Sequence, residues 1–421
     1  MAKKSQEVKE LGGTKDLLKL INGFSENAEI IEDSYYSKIK DWIPTGNYIL
    51  NACCSGDIFK GFGSGRVTVL ASPSGCGKSY LAVSACREAQ KKGYQVIYLD
   101  SEGAIDSTFI TRLGCDPSKF IIKQVSTISE VSNFIANLCK SLEDNGIKDP
   151  KIILVLDSLG NLTSDKELND TLNANNVRDM SKQQNIRAMF RVNATPIAKL
   201  GIPWIVISHT YDQVGSFIPG QQSVSGGGGL SYNASLTLML SAAKLEDKTN
   251  DKAAADKKGS FTKNGILVTA KPIKSRFCIP QKVKFQIPFF CKPNPYVGLE
   301  QYLTWENSKI IRGEALDEKS YLKLSPAEQM KCLPFEDGDF KCWVFPKDTS
   351  RKMFVGHLHD SVPILEFFTD RVFSQEFLEQ INETIIKPAF ELPSQDSFED
   401  IKELEEAMGL GEDIPMPNIE D

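Results

Sequence analysis

Long hydrophobic runs, paired cysteines and an apolar leader are all missing from this chain of 421 residues. No apolar run approaches the roughly 20 residues of a bilayer span, so we expect no membrane-spanning helix and no membrane partner. Residues 1–7 lack the apolar stretch of a secretory signal, which predicts a cytoplasmic protein. The ten cysteines are scattered without a Cys-x-x-Cys pair, which favours reduced structural thiols over disulfides or a metal centre.

Positive charge is also in short supply overall, but the charge is unevenly distributed. The net charge is −6, and residues 394–421 alone contribute −9, with Lys402 as their only basic side chain. The first 393 residues therefore carry about +3. An acidic segment with few aromatics is typical of a solvated, disordered tail, and a competitor for a basic groove is the second interpretation.

The most informative motif lies at residues 67–79, where a β-branched apolar strand leads into a turn of small residues. Small residues allow backbone N–H groups to surround phosphate oxygens, Lys78 reaches the terminal phosphates, and the Ser79 hydroxyl binds Mg²⁺. The consensus G-x-x-x-x-G-K-[ST] has glycine where this chain has Ser72. The pattern predicts a nucleoside triphosphate site formed by Ser74, Gly75, Cys76, Gly77, Lys78, Ser79 and Tyr80.

Apolar strands and helical segments alternate along the chain, which predicts an α/β fold. Residues 79–92 have helical spacing, whereas residues 95–100, 151–157 and 204–209 form short apolar runs. The last two runs are almost continuously apolar, as expected for strands buried on both faces of a parallel sheet. Polar residues occur at or just after the end of each run.

These polar residues are expected to converge, because ligands of open α/β sheets bind at the carboxyl ends of the strands. Asp157 would hold Mg²⁺ through water and so complete the shell that Ser79 and the phosphates begin, and Glu102 would orient and activate the attacking water. His209 would donate a hydrogen bond to the γ-phosphate and couple its loss to the following segment. The alternative for each is a polar group at a strand end that a neighbouring loop satisfies. The common placement of Lys78, Glu102, Asp157 and His209 favours a site.

Two polar segments follow the strands that end at Asp157 and His209. Residues 213–229 contain Phe217 and four consecutive glycines, which is typical of a linker or of a loop that a ligand orders. Polar residues 163–176 lead into four cations spaced by roughly one helical turn, either a DNA-binding face or a solvated one. These cations are Arg178, Lys182, Arg187 and Arg191.

Taken in order, these motifs resemble the RecA-type strand-exchange recombinases, most closely the phage UvsX branch. Residues 43–51 resemble the lead-in to the phosphate loop, and residues 98–102 resemble the catalytic-glutamate motif. Residues 156–167 resemble the UvsX metal-binding strand and the first DNA-binding loop that follows it. Residues 208–211 resemble the UvsX γ-phosphate sensor, where the cellular branch has glutamine.

The resemblance implies a RecA-like P-loop ATPase core with a mostly parallel twisted sheet. Its implied divisions are an N-terminal oligomerisation arm (1–42), the core (43–288), a small α+β C-terminal domain (289–393) and the acidic tail (394–421). Two DNA-binding loops are expected near 165–177 and 211–229. The charged insertion at 248–259 has no assigned role.

The resemblance also implies roles for individual residues. Phe109 would stack on the adenine, and Asp106 would lie near the nucleotide. Lys274 and Arg276 would reach the ATP of the neighbouring subunit, so hydrolysis would require assembly. A head-to-tail contact of this kind does not close on itself and generates a helical filament. The implied DNA-binding residues are Arg178, Lys182, Phe217, Gly228 and Gly229.

The implied function is that of an ATP-dependent homologous recombinase. It would form a filament on single-stranded DNA, hydrolyse ATP to ADP and phosphate with Mg²⁺, and exchange strands with homologous double-stranded DNA. Recombination, repair and recombination-dependent replication would depend on this activity. Other expected partners are a recombination mediator and a single-strand-binding protein, in the host cytoplasm if a phage encodes the chain.

Two other functions stay open at this point. A hexameric replicative helicase uses the same ATPase core, but it needs an N-terminal helical domain that about 40 residues can hardly provide. A nucleotide-dependent assembly protein that does not act on DNA is the second alternative. Electron microscopy with and without single-stranded DNA would separate these cases.

Overall fold

A central sheet organises the part of the chain that the computed structural model describes. The described residues are 13–25, 28–31, 38–103, 105–172, 181–212, 222–224, 233–244, 265–289, 292–303, 323, 352–355, 360–363 and 367–391. None of their helices is long and apolar enough to cross a bilayer.

The strands fall into one large sheet and two small antiparallel pairs. The small pairs are β1 (Trp42–Ile43) with β2 (Phe62–Gly63), and β12 (Lys352–Val355) with β13 (Asp360–Pro363). The large sheet contains β3 (Val67–Ser72), β4 (Gln95–Asp100), β5 (Phe120–Gln124), β6 (Ile152–Asp157), β7 (Trp204–Asp212), β8 (Gln222–Val224), β9 (Leu236–Lys244), β10 (Gly265–Ser275) and β11 (Val283–Pro288).

The large sheet is mostly parallel, as the sequence predicts. Its order is β11-β10-β9-β3-β7-β6-β4-β5, with β8 paired to the end of β7. The neighbours β3, β7, β6 and β4 are parallel, with Ser72 opposite His209 and Asp100 opposite Asp157. Their carboxyl ends form one edge, which we call the carboxyl edge, and the edge where β3 begins is the amino edge. The predicted strands at 95–100, 151–157 and 204–209 are confirmed.

Helices cover both faces of the sheet. They are α1 (Thr14–Asn22), α2 (Tyr48–Ser55), α3 (Lys78–Lys91), α4 (Ser107–Arg112), α5 (Ile128–Asp144), α6 (Asp165–Leu172), α7 (Lys182–Leu200), α8 (Gln375–Ile381) and α9 (Lys387–Phe390). A π-helical turn, Asn382–Ile386, joins α8 to α9. The helix predicted at 79–92 is confirmed as α3.

Alternate residues of the central strands pack on opposite faces of the sheet. In β6, Ile153 and Val155 join the hydrophobic cluster that includes α2 and α3. Leu154 and Leu156 join the cluster that includes α5 and α7. This two-sided burial is the reason for the continuous apolar runs, because neither face of the strand contacts water.

The first expected DNA-binding loop begins as a helix rather than as irregular chain. Of the segment 165–177, residues Asp165–Leu172 form α6. The Ser164 hydroxyl accepts a hydrogen bond from the Glu167 backbone N–H at 3.0 Å, which satisfies one free donor at the helix start. The Ser-x-x-Glu pattern at 164–167 is a recognised helix-start signal. Residues 173–177 lie outside the described ranges.

The second expected loop, 211–229, contains a short antiparallel strand pair at its base. The end of β7 pairs antiparallel with β8, placing Thr210 opposite Val224. Residues 213–221 and 225–229 lie outside the described ranges, as do the insertion at 248–259 and the tail at 394–421.

The two ends of the described chain behave differently. In the N-terminal arm, α1 buries no residue, and Leu17 and Leu20 are 42% and 61% exposed. By contrast, α8 and α9 contribute to the same hydrophobic cluster as α2 and α3. The Ile279 backbone N–H also donates to the Phe390 carbonyl at 2.8 Å. The described C-terminal helices therefore pack into the same hydrophobic cluster as α2 and α3, and the separate domain at 289–393 stays a prediction.

Candidate nucleotide-binding site

The turn after β3 depends on two glycines with left-handed backbone. Gly75 has φ of +79° and Gly77 has φ of +85°, a region that glycine adopts without strain. A Cβ on Gly77 would also lie 2.4 Å from Ile287 Cδ1. Ser72, at the consensus glycine position, is the fully buried last residue of β3 and does not have positive φ. The turn therefore does not require glycine at position 72.

Lys78 lies against the inner side of this turn and is only 6% exposed. Its Nζ donates to the Ser72 carbonyl at 3.1 Å, to the Ser72 Oγ at 3.1 Å and to the Pro73 carbonyl at 2.9 Å. Burial lowers the pKa of Lys78. The Ser72 hydroxyl thus provides Lys78 with an acceptor that the consensus glycine lacks.

The other residues predicted to bind the nucleotide divide into exposed and buried groups. Ser74 and Gly75 are exposed at the tip of the turn. The side chains of Cys76 and Tyr80 belong to the hydrophobic cluster, with 6% and 8% exposure. Cys76 is a free thiol, as are the other described cysteines, in keeping with the reduced thiols predicted from their spacing.

Asp157 ends β6 directly opposite the start of α3. Its Oδ2 accepts hydrogen bonds from the Ser79 Oγ at 2.7 Å and from the Tyr98 hydroxyl at 2.6 Å. Asp157 is 2% exposed, and this burial raises its pKa, although the bonds from Tyr98 and Ser79 counteract part of the increase. The structure thus brings Ser79 and Asp157 together, and their predicted binding of Mg²⁺ stays a prediction.

The side chains at this position fit a magnesium ion that is bound together with a nucleotide. Among the described residues, no group of three or more His, Cys, Asp and Glu side chains could hold a metal alone. The structure instead offers one carboxylate, Asp157, and one hydroxyl, Ser79, whose oxygens lie 2.7 Å apart. Mg²⁺ typically takes one or two carboxylates and completes its shell with substrate phosphates and water. Ser79 and Asp157 would supply the protein ligands.

Glu102 and His209 contact each other directly at the carboxyl edge. The Glu102 Oε1 accepts from the Ser158 hydroxyl at 2.5 Å and from the His209 Nε2 at 2.9 Å. Burial alone would raise the pKa of Glu102, but these two hydrogen bonds outweigh it, so the pKa lies below its usual range. Among the described groups, no protein donor is bonded to the other oxygen, Oε2, which leaves that oxygen available to a water molecule.

Backbone contacts fix the position of Glu102 at the end of β4. The Asp100 Oδ1 accepts from the backbone N–H groups of Glu102 at 3.0 Å and Gly103 at 2.8 Å. The Ser101 hydroxyl donates to the Ser158 carbonyl and accepts from the Ser158 N–H, both at 2.8 Å. These bonds join the ends of β4 and β6, so Glu102 and Asp157 keep a constant relative position.

Asp106 and Phe109 belong to the short helix α4. The Asp106 side chain is the N-cap of this helix and accepts from the Phe109 backbone N–H at 2.7 Å. Phe109 is half-buried against the hydrophobic cluster that includes α3. Asp106 therefore has a structural role, and the expected contacts of both residues with the nucleotide stay a prediction.

Lys274 and Arg276 lie far from the phosphate turn of their own chain. The Arg276 N–H bonds to the Ser235 carbonyl, and the Ser235 N–H bonds to the Val67 carbonyl, so Arg276 lies beside the start of β3. Ser72 ends the same strand, about 16 Å away at the usual rise per residue. Lys274 lies opposite Thr237, two residues closer. Neither cation belongs to the carboxyl edge.

Arg276 and Arg66 share a cavity of about 720 Å³ at the amino edge, which α7 also lines. Burial, and after it the charge of Arg276, lowers the pKa of both Lys274 and Arg66. Like charges are thus concentrated at this edge. Such a concentration is typical of a site for an anion.

Of the five residues that the resemblance implies as DNA-binding, Lys182 alone lies within the described ranges. It begins α7, and its Nζ lies 3.8 Å from the Glu167 carboxylate of α6. Arg187 and Arg191, one turn apart on the same helix, are exposed. The other residues of this prediction, Arg178, Phe217, Gly228 and Gly229, are outside the described ranges.

Three features of the site were not predicted from the sequence. They are the Tyr98 hydroxyl on Asp157, the Ser158 hydroxyl on Glu102 and the contact between Glu102 and His209. Tyr98 stands in an apolar run and has the pattern of a core residue. Ser158 follows Asp157 directly, and this proximity to a predicted metal ligand was the only available signal.

Comparisons with known proteins agree with this arrangement. Residues 22–280 match the RecA N-terminal domain. The chain is 26% identical over 366 residues to the recombination and repair protein of Enterobacteria phage T4, which covers 83% of this chain and 88% of that protein. It is 27% identical over 240 residues to Protein RecA of Acholeplasma laidlawii, with 57% and 66% covered. It is 24% identical over 246 residues to Protein RecA of Mesoplasma florum, with 58% and 66% covered.

The site lies within the residues that match the family. The phosphate turn, the ends of β4, β6 and β7, and the two cations of the amino edge all lie within residues 22–280. This match covers more than half of the chain. The chain therefore belongs to the RecA family of recombinases.

Proposed function

We propose that this protein is an ATP-dependent homologous recombinase that polymerises on single-stranded DNA and hydrolyses ATP in a site shared by adjacent subunits. The observation that carries the proposal is the separation of two charged groups across the sheet. Lys78, Glu102 and Asp157 lie at the carboxyl edge, whereas Arg276 lies beside the start of β3. From that position Arg276 would contact the γ-phosphate of an ATP bound to an adjacent subunit rather than of one bound to its own phosphate turn.

Each side chain of the carboxyl edge has a defined part in hydrolysis. Lys78 would leave the Ser72 and Pro73 oxygens to bind the terminal phosphates. Ser79 and Asp157 would hold Mg²⁺, which supplies neutralisation of phosphate charge. Glu102 accepts the proton of the attacking water on Oε2, while Ser158 and His209 hold Oε1. Lys274 and Arg276 of the adjacent subunit stabilise the charge that develops on the transferred phosphate.

His209 is positioned to transmit the state of the nucleotide to DNA. Its ring contacts Glu102 at 2.9 Å, and its strand continues through Thr210 into the pairing with β8. β8 lies inside the predicted DNA-binding loop 211–229. A displacement of His209 by the γ-phosphate would therefore act on the same strand that holds the base of this loop.

Assembly into a filament is supported by exposed apolar groups at two separate places. The helix α1 of the N-terminal arm exposes Leu17 and Leu20. The edge strand β5 exposes Ile121 and Ile122, which are 56% and 43% accessible. Two different surfaces that associate head to tail produce an open helical assembly when the repeated rotation does not close into a ring. The arm of one subunit would cover the sheet edge of the next.

Binding to DNA would rely mainly on the phosphate backbone. Lys182, Arg187 and Arg191 on α7 are cations within the described part of the chain that follow the first predicted DNA-binding loop. Backbone contacts of this kind do not depend on sequence, and base pairing would supply the recognition of homology. A mediator and a single-strand-binding protein are the further partners that we propose.

Two measurements on the full chain test this function. ATP hydrolysis should be strongly stimulated by single-stranded DNA, and Lys78→Ala should abolish hydrolysis both with and without DNA. Electron microscopy with a slowly hydrolysed ATP analogue should show helical filaments on the DNA. Hydrolysis that DNA does not affect, closed rings, or assemblies that form equally without DNA would contradict the proposal.

A further inference from the structure

Tyr98 is a tyrosine in a position where packing alone would accept phenylalanine. It is fully buried in β4, and its ring stacks on Phe120 with centroids 5.6 Å apart. Its hydroxyl donates to the Asp157 Oδ2 at 2.6 Å. A buried hydroxyl requires a partner, and this partner is the carboxylate that we assign to magnesium.

The register of the sheet makes this contact possible. Tyr98 lies opposite Val155, and Asp157 is two residues further along β6 on the same face. Residues diagonally related across two strands are within reach of a long aromatic side chain. The phenol therefore approaches Asp157 from inside the sheet, whereas Ser79 approaches it from α3.

The two hydroxyl donors of Asp157 differ in their freedom to move. Ser79 is the second residue of α3, next to the phosphate turn, and is only half-buried. Its oxygen is the second protein ligand proposed for the ion. A serine oxygen that binds a cation directs a lone pair to it. The Ser79 hydroxyl would therefore rotate when Mg²⁺ binds together with the nucleotide. Tyr98 is enclosed by the hydrophobic cluster around α2 and α3 and cannot turn in this way.

We propose that Tyr98 is a positioning residue that holds the Asp157 carboxylate in place for magnesium and so sets the magnesium concentration that nucleotide binding requires. This inference rests on the proposed ATPase function. Side chains that orient a metal ligand through a hydrogen bond typically change metal affinity by about 10-fold or more when removed. The ring of Tyr98 packs in the hydrophobic cluster, and its hydroxyl orients the Asp157 carboxylate.

The test compares Tyr98→Phe with Tyr94→Phe in the full-length protein. Tyr94 is a matched control, because its ring is also buried and its hydroxyl also donates to a carboxylate, Asp41 Oδ2 at 2.9 Å. Binding of a fluorescent, slowly hydrolysed ATP analogue is titrated with Mg²⁺ in the absence of DNA. Tyr98→Phe should need about 10-fold more Mg²⁺ for half-maximal binding, whereas Tyr94→Phe should match the unaltered protein.

A second comparison separates positioning from general destabilisation. In an Asp157→Asn background, adding Tyr98→Phe should cause no further change in the Mg²⁺ titration, because the hydroxyl acts only through that carboxylate. The proposal would be overturned by an unchanged Mg²⁺ requirement in Tyr98→Phe, or by an equal further loss in the Asp157→Asn background. Because binding is measured without DNA, its result stands even if DNA does not stimulate hydrolysis.

Discussion

The two edges of the central sheet differ in how their charged groups are held. At the carboxyl edge, Lys78, Glu102 and Asp157 each have hydrogen-bond partners within 3.1 Å that fix their positions inside one subunit. At the amino edge, Arg276 lies beside Arg66 and Lys274, and its charge contributes to lowering the pKa of both. The side chains of the carboxyl edge are held by hydrogen bonds within one subunit, whereas the amino edge places several positive charges close together.

This difference is the basis of our proposal that neither edge is a complete catalytic site. Among the described residues, the carboxyl edge holds the proposed base Glu102, the proposed metal ligands Ser79 and Asp157, and the cation Lys78. The amino edge holds the cations Arg66 and Arg276, and its carboxylate Asp41 is bonded to Lys92 and Tyr94. Placing the amino edge of one subunit against the carboxyl edge of the next would unite them, and repetition of that contact would build the filament.

The largest effect is expected from removing the cations of the amino edge. Lys274→Ala with Arg276→Ala should lower DNA-stimulated hydrolysis by about 1,000-fold, because cations supplied by a neighbour typically contribute this much. Nucleotide binding to the isolated subunit should be retained. The matched control is Lys282→Ala with Lys284→Ala, two exposed cations with the same spacing near β11. Steady-state ATPase assays that show equal activity for both pairs would contradict the shared site.

A smaller loss is expected from removing the base at the carboxyl edge. Glu102→Gln keeps the shape of the side chain but cannot accept a proton, so hydrolysis should fall by about 100-fold while ATP still binds. Glu130→Gln is the control, because Glu130 also accepts hydrogen bonds, from Lys123 at 3.1 Å and Ser126 N–H at 3.0 Å, but lies away from the site. Comparable turnover in the two variants would remove Glu102 from the chemistry.

The amino edge also contains a structural contact that should affect stability and not catalysis. Asp41 accepts hydrogen bonds from Tyr94 at 2.9 Å and from Lys92, while Lys151 lies 3.5 Å away. Asp41→Asn should lower the free energy of unfolding by about 1 kcal/mol in denaturant titrations at neutral pH. Asp149→Asn, an exposed partner of the same Lys151, should change it by less than about 0.5 kcal/mol.

The effect of Asp41→Asn should depend on pH in a defined direction. Burial would raise the pKa of Asp41, but the hydrogen bonds from Lys92 and Tyr94 outweigh it and leave the pKa below its usual range. Its contribution is therefore present above the unfolded-state pKa and is lost as pH falls through the folded-state value. The difference between the proteins should be constant near neutrality and shrink below about pH 4. A difference that grows on acidification would contradict this assignment.

The smallest effect is expected at the position where the phosphate turn departs from its consensus. Ser72→Gly should change ATP affinity by less than about 3-fold, because Lys78 keeps two carbonyl acceptors. Gly77→Ala should instead abolish binding, since its φ is +85° and its Cβ would meet Ile287. A loss of binding in Ser72→Gly as large as that in Gly77→Ala would show that the hydroxyl is essential.

The sequence predicts the central strands and their shared edge because burial on both faces leaves a continuous apolar signal, as in 151–157. It does not predict the contact of Tyr98 with Asp157, since a buried tyrosine and a packed phenylalanine have the same pattern. The helix α6 was missed although Ser164 and Glu167 form a helix-start pattern, because its polar composition resembles a loop. The separation of Arg276 from Ser72 depends on the pairing of β3, β9 and β10, which no local pattern encodes.

The most direct test of the shared site is a mixing experiment with two inactive proteins. Lys274→Ala with Arg276→Ala leaves the carboxyl edge intact, and Glu102→Gln leaves the amino edge intact. If adjacent subunits share each site, mixing the two variants on single-stranded DNA restores hydrolysis above the sum of their separate activities. If each subunit hydrolyses ATP with its own residues alone, the mixture stays as inactive as its components.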